Sequence, residues 1–175
     1  MTTVVTHAIV AATLVRFLPR PWRSPALYVL AMLGSMAPDL DTIGLKFGIA
    51  YDSPYGHRGA THSLLFAAVL GGVMAWWLAR KQGALARHWM ILTACVFTHP
   101  VMDALTNGGR GVAFLWPLSD DRFFFPLHPI LVSPIGARFF SERGVMTLES
   151  ELVWVWAPCI VVWLVLALWS ARKRR

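Results

Sequence analysis

The histidines and aspartates of this chain fall into short blocks: His7; Pro38-Asp39-Leu40-Asp41; His57-Arg58-Gly59-Ala60-Thr61-His62-Ser63; and His99-Pro100-Val101-Met102-Asp103. Imidazole and carboxylate together make the ligand set that zinc-type metal ions prefer. His99 and Asp103 stand at i and i+4, so on a helix both project from one face toward a single ion. Thr106 and Asn107 continue that face and can support its ligands from behind. Pro100 interrupts the helical hydrogen bonding between them and bends the register. Asp39 and Asp41 would diverge by about 200° on a regular helix. Both reach one ion only if Pro38 unwinds the helix end; otherwise one binds and the other orients a histidine or activates water. His57 falls in a loop and His62 in the first turn after it. Thr61 is the expected N-cap there, and the helix N-terminus it starts would favour an anion.

Seven candidate ligands result: His7, Asp39, Asp41, His57, His62, His99 and Asp103. They exceed one tetrahedral site, so one or two Zn2+ ions are expected, with Mn2+ or Fe2+ as substitutes. Two-metal centres clamp the attacking and leaving oxygens of a phosphoester. Arg58 and Arg110 could pair with its phosphate, and Asp41 or Glu151 could take the proton from water. The expected reaction is hydrolysis of a phosphoester, with an acyl ester second, in a lipid-borne substrate. Two alternatives stand beside it: a metal or proton transporter, and a non-catalytic regulatory membrane protein with a structural metal site. Transporters usually place such groups at mid-membrane between repeated halves, and no repeat is visible here. His88 and His128 lack comparable company and read as structural.

The elements that must position these groups are membrane helices. The 175 residues are 57% hydrophobic and only 14% charged, too apolar for an ordinary soluble domain. A spanning helix needs about 20 mostly apolar residues, and residues 2–18, 26–43, 61–79, 89–105 and 152–171 qualify. The expected fold is all-α: a single integral membrane domain, residues 1–175, with about five transmembrane helices. A long extracytoplasmic loop, residues 108–150, joins helices four and five and is rich in aromatic residues and proline. The first span lacks a basic leader, so a cleaved signal peptide is not expected. Cys95 and Cys159 both fall within spans, so no disulfide framework is expected. The net charge of +7 is not a nucleic-acid signature, because it gathers on alternate loops. Arg16, Arg20 and Arg23 follow span one; Arg80, Lys81 and Arg87 link spans three and four; Arg172, Lys173, Arg174 and Arg175 end the chain. By the positive-inside rule these loops are cytoplasmic, which puts the N-terminus outside and the C-terminus inside. All nine acidic residues fall in or beside the opposite loops, and of the six histidines only His88 lies on the basic side. An ionisable group inside a membrane costs roughly 2.5–3.5 kcal/mol on insertion scales, so a gathering of them calls for a compensating cation.

The order Thr6-His7, Pro38-Asp-Leu-Asp41, His57-Arg-Gly-x-Thr-His-Ser63, His99-x-x-x-Asp103, Trp116-Pro-Leu-Ser-Asp120 and Ser150-Glu-Leu-x-Trp-Val-Trp156 resembles the YdjM-type family. That family is described as LexA-regulated, membrane-bound metal-dependent hydrolases. The resemblance spans nearly the whole chain and is most specific in the block His57–Ser63. It implies residence in the bacterial inner membrane and makes the seven candidate ligands the family's polar positions. A more distant similarity is to zinc-dependent phospholipase C, whose later histidine and glutamate ligands have no clear counterpart here apart from Glu151.

Overall fold

The computed structural model describes residues 1–173; Arg174 and Arg175 of the basic C-terminal run lie outside the described residues. Their regular elements are all helical, with no strand among the described residues and only two isolated bridges, Thr106 to Ile130 and Val112 to Phe123. In chain order the helices are α1 (Val4–Phe17), α2 (Pro25–Met36), α3 (Thr42–Lys46), α4 (Leu64–Gln82), α5 (Leu85–Ala104), α6 (Glu142–Glu151) and α7 (Ala157–Arg172).

The helix limits follow from local chemistry. Thr3 caps α1 by accepting from Thr6 N. Ser24 caps α2, with Pro25 at the first helical position, where its missing N–H is not needed. At α4 the cap is Ser63, which accepts from Phe66 N, and not Thr61. Gly83 and Ala84 both take positive φ, 68° and 56°, and turn the chain directly from α4 into α5. Small residues then let that hairpin close: a Cβ on Gly71 would sit 2.6 Å from Thr93 N. The apolar core lies between α1, α2, α4 and α5, around Ala11, Val15, Leu27, Ala31, Ala75, Leu78, Leu92 and Val96.

Two helical stretches are long and apolar enough to cross a membrane, Leu64–Gln82 and Glu142–Arg172. The second joins α6 to α7 through a π-helical turn, Leu152–Trp156, just ahead of Pro158, whose missing N–H disturbs the regular ladder. Its 31 residues make about 46 Å at 1.5 Å per residue, well beyond the roughly 30 Å hydrocarbon core of a bilayer. Helix therefore covers the last nine residues, 142–150, of the segment that the sequence assigns to a loop. The α1 and α2 helices are shorter, at 14 and 12 residues; α5 is long but carries Arg87, His88, His99 and Asp103. α7 runs parallel to α1 and is tied to it twice, Trp156 Nε1 donating to Thr6 Oγ1 at 2.6 Å and Trp163 Nε1 to Thr13 Oγ1 at 3.0 Å. Its remaining faces present Ile160, Val161, Leu164, Val165 and Leu168 outward.

Candidate metal centre

Four buried side chains from three segments converge at one end of the bundle. Asp39 comes from the 3-10 turn Ala37–Asp41 that follows α2, His62 from the 3-10 turn Ala60–His62 ahead of α4, and His99 and Asp103 from the end of α5. One ligand atom from each lies within 4.8 Å of all the others. His62 Nε2 is 3.0 Å from His99 Nε2, His99 Nε2 is 3.4 Å from Asp39 Oδ1, and His62 Nε2 is 3.6 Å from Asp103 Oδ2. Ligands held about 2.0–2.1 Å from a tetrahedral zinc stand roughly 3.3 Å apart; these three separations bracket that spacing, while His62 Nε2 to Asp39 Oδ1 at 3.9 Å and His99 Nε2 to Asp103 Oδ2 at 4.0 Å are longer. Both Asp39 oxygens and Asp103 Oδ2 are buried without a hydrogen-bond partner. A protein interior tolerates such atoms where something else compensates them. The donor set could therefore hold a divalent ion.

The surroundings aim these ligands. His99 Nδ1 is 2.7 Å from the Ser35 carbonyl, which can only accept, so that nitrogen carries the proton and Nε2 turns its lone pair to the cage. Asp41 lies behind two histidines, with Oδ1 2.6 Å from His57 Nδ1 and Oδ2 3.2 Å from His62 Nδ1. The same Oδ2 accepts from Thr61 Oγ1 at 2.6 Å. Pro38 does mark an unwound helix end, yet the two aspartates still diverge, Asp39 into the cage and Asp41 to the backs of His57 and His62. Asp41, His57 and His62 form a second group with ligand atoms within 4.8 Å, sharing His62 with the first. Burial lowers the pKa of His57 against the opposing pull of its Asp41 hydrogen bond, which favours the neutral, metal-binding form. His7 stands beside the cage. Its ring stacks on His99 with centroids 3.6 Å apart, and its Nε2 lies 2.8 Å from Thr2 Oγ1 and 3.6 Å from Asp103 Oδ1.

Arg58 is placed differently from the sequence expectation. Its backbone takes φ 66°, a left-handed conformation that costs a non-glycine residue roughly 1–2 kcal/mol. The side chain is fully buried. Nε lies 3.2 Å from Asp103 Oδ2, while Nη1 and Nη2 donate to Gly108 O and Thr106 Oγ1, each at 2.9 Å. The guanidinium is thus a fixed internal counter-ion with no open side for a phosphate. Arg110 is exposed and paired with Asp52. Glu151, also buried, receives Thr3 N, and its Oε2 accepts from Thr3 Oγ1 at 2.5 Å and Thr6 Oγ1 at 2.6 Å. It anchors the start of α1 and is not in the cage. Thr61 serves Asp41, and exposed His128 packs against Phe124.

Several supports are invisible to a search for ligand types. Thr2 N donates to Asp103 Oδ1 at 2.8 Å. Arg122 donates to the carbonyls of His57 at 2.9 Å and Ser53 at 3.1 Å, fastening the loop that carries His57. The threonine cluster Thr2, Thr3, Thr6 ahead of an apolar helix was a readable signal; the Ser35 carbonyl left none. Beside the cage lies a cavity of about 360 Å³, lined by Val4, Val5, Ile135, Phe139 and Phe140 and reaching Asp39 and Thr42.

Comparison with known proteins agrees with the membrane character of the chain. A family model described as YdjM inner membrane protein matches residues 1–174. The chain is 39% identical over 176 residues to the inner membrane protein YbcI of Escherichia coli (strain K12), covering 99% of this chain and 100% of that one. No solved structure matches it.

Proposed function

The chain belongs to the YdjM inner membrane protein family, and from that premise we propose that it is a membrane-embedded metal-dependent hydrolase acting on a lipid-borne phosphoester. One observation carries this reading: Asp39 belongs both to the buried cage and to the wall of the apolar cavity. Structural metal sites are closed, whereas catalytic ones keep a position open; the cavity reaches Asp39, whose carboxylate oxygens are themselves buried, so the proposal requires the cage to open toward it. Walls of Val4, Val5, Ile135 and Phe139 suit an acyl or isoprenoid chain and not a hydrated ion, which favours a lipid substrate over ion transport.

In this proposal Asp39, His62, His99 and Asp103 hold the metal, zinc by the mixed imidazole and carboxylate set. A bound divalent ion would supply Lewis-acid polarisation of a phosphoryl oxygen. Asp41 holds His57 by Nδ1, so His57 Nε2 is the atom we assign to accept a proton from water, with Asp41 positioning it. Arg58 keeps Asp103 charged and in place. The five-span arrangement belongs to the same proposal, with the N-terminus and the cage extracytoplasmic and the basic loops cytoplasmic.

The test presents detergent-solubilised lipid phosphoesters and lipid acyl esters to the purified, metal-loaded protein, with and without a chelator. Chelator-sensitive release of a phosphorylated headgroup, lost in His57→Gln, is the expected result. Full metal occupancy without turnover of either class would replace the hydrolase by a structural metal site. For topology, single cysteines are placed in 51–55, at 120 and at 82 in a background lacking Cys95 and Cys159. An impermeant thiol reagent should label the first two in intact cells and spare the third; the reverse pattern would put the cage in the cytoplasm.

A further inference from the structure

The end of the bundle opposite the cage holds a cavity that hydrolysis does not use. It lies where α1 ends, beside the turn leading to α2 and against the last turns of α7, and measures about 510 Å³. Arg16, Arg20, Arg23 and Lys173 line it together with Leu166 and Trp169. Among the described residues, no carboxylate lies within ion-pair distance of these four cations: the ion-paired acids are Asp39, Asp41, Asp52 and Asp103, all placed elsewhere. Four like charges around one hollow repel one another, and an anion between them relieves that repulsion.

The pocket is also held in shape. Arg23 Nε donates to Leu18 O at 2.6 Å and folds the turn back on itself. The Thr13–Trp163 hydrogen bond fixes α1 against α7 beside it, with the Arg16 guanidinium 5.7 Å from the centroid of the Trp163 ring. Lys173 Nζ stands 4.0 Å over Trp169. The outer faces of α7 are exposed and apolar, so in the five-span arrangement proposed above, on which this inference rests, the hollow is flanked by lipid-facing surface at headgroup depth.

We propose that this cavity binds the phosphate headgroup of an anionic phospholipid from the leaflet opposite the cage. Arg16, Arg20 and Arg23 engage the phosphate, and Leu166 and Trp169 receive the first carbons of an acyl chain. Arginine is suited to this by its planar fork of donors, which meets phosphate oxygens two at a time, and basic pockets between membrane helices are a known setting for acidic lipids. The lipid would bridge α1 to α7, which has no buried residue of its own.

The test follows thermal unfolding and native mass spectra of the full chain in neutral detergent, supplemented with phosphatidylglycerol, phosphatidylcholine or inorganic phosphate. Phosphatidylglycerol should raise the unfolding temperature and remain bound; the other two should do neither at equal concentration. The triple variant R16Q/R20Q/R23Q should lose the effect, roughly fivefold in lipid affinity per arginine. R80Q/K81Q/R87Q removes as much charge from the same membrane face and should keep it. An equal loss in both triple variants would reduce the site to diffuse surface charge, and an equal response to inorganic phosphate would remove the lipid; either overturns the proposal. Helical content by circular dichroism reports whether the triple variant is folded. If it is not, Arg20→Gln alone, an exposed side chain, should still weaken lipid retention, and unchanged retention overturns the proposal.

Discussion

At one end of the bundle His62, His99, Asp103 and Arg58 are fully withdrawn from solvent, and Asp39 nearly so; at the other, Arg16, Arg80, Lys81, Arg87 and Lys173 rest over tryptophan faces at the ends of helices. In the proposed five-span arrangement the cations of the second end keep their stems on apolar surface and their charges at the interface, where membrane proteins place them at little cost. Charges at the first end have no such outlet and must be balanced from within. Asp39, Asp41 and Asp103 face a single guanidinium, that of Arg58, which leaves two formal negative charges without a fixed cation. Glu151 is satisfied separately, by the Thr3 and Thr6 hydroxyls. A divalent ion would close that balance, so in the proposed reading one end holds an ion and the other seats the protein in its bilayer.

The largest effects should come from emptying the cage. His99→Ala and Asp103→Ala should each strip the metal from purified protein, measured by elemental analysis, while His88→Ala should retain it. Full occupancy in the first two would dissolve the contrast between the two ends. Arg58→Ala comes next, because it leaves Asp103 buried beside an empty space. Losing one partner of a buried ion pair costs about 3–5 kcal/mol, which denaturant unfolding would register directly. Arg58→Lys should rescue little, since an ammonium cannot reach Asp103, Thr106 and Gly108 together as the fork does. Stability close to wild type in Arg58→Ala would show that the cage end tolerates unbalanced charge.

Asp41→Asn should be milder. The amide keeps the shape but gives His57 and His62 a weaker partner, and loss of such a supporting contact typically lowers metal affinity about 10–100-fold. Competition with a graded chelator should reveal that shift while occupancy at saturating zinc stays full. No change in affinity would make Asp41 a bystander.

How much of this was legible follows from which forces decide each residue. The convergence of His62, His99 and Asp103 was readable because ligand types and helical spacing both survive in sequence, and Asp39 was readable as one of a pair. The choice between Asp39 and Asp41 was not, because it depends on the path of the 3-10 turn Ala37–Asp41 and on His57 arriving from a loop. Thr61 and Ser63 are both good caps two residues apart; the tertiary bond from Thr61 to Asp41 settles the matter in favour of Ser63. Arg58 looks outward in sequence, beside a helix start, and only its left-handed backbone turns it inward. The segment Glu142–Glu151 reads as loop because it is polar. Yet its buried residues Gly144, Thr147 and Glu151 repeat at helical spacing, a period that a search for continuous apolar runs passes over.

The smallest effect should come from the basic end. Arg80 stacks over Trp76 at 4.9 Å from the ring centroid, with Trp76 itself exposed. Exposed cation–π contacts contribute about 0.5–1 kcal/mol, and this guanidinium is within reach of water and lipid phosphate alike. Arg80→Gln should therefore lower the unfolding free energy by no more than about 1 kcal/mol and leave metal content and chelator response untouched. The reason is positional: α4 carries Arg80 at its last turn, while the turn that bears His62 precedes its first. No charged side chain joins the two ends along that helix. Metal loss in Arg80→Gln would mean that the ends communicate through the α4–α5 hairpin, which packs closely at Gly71 and Thr93.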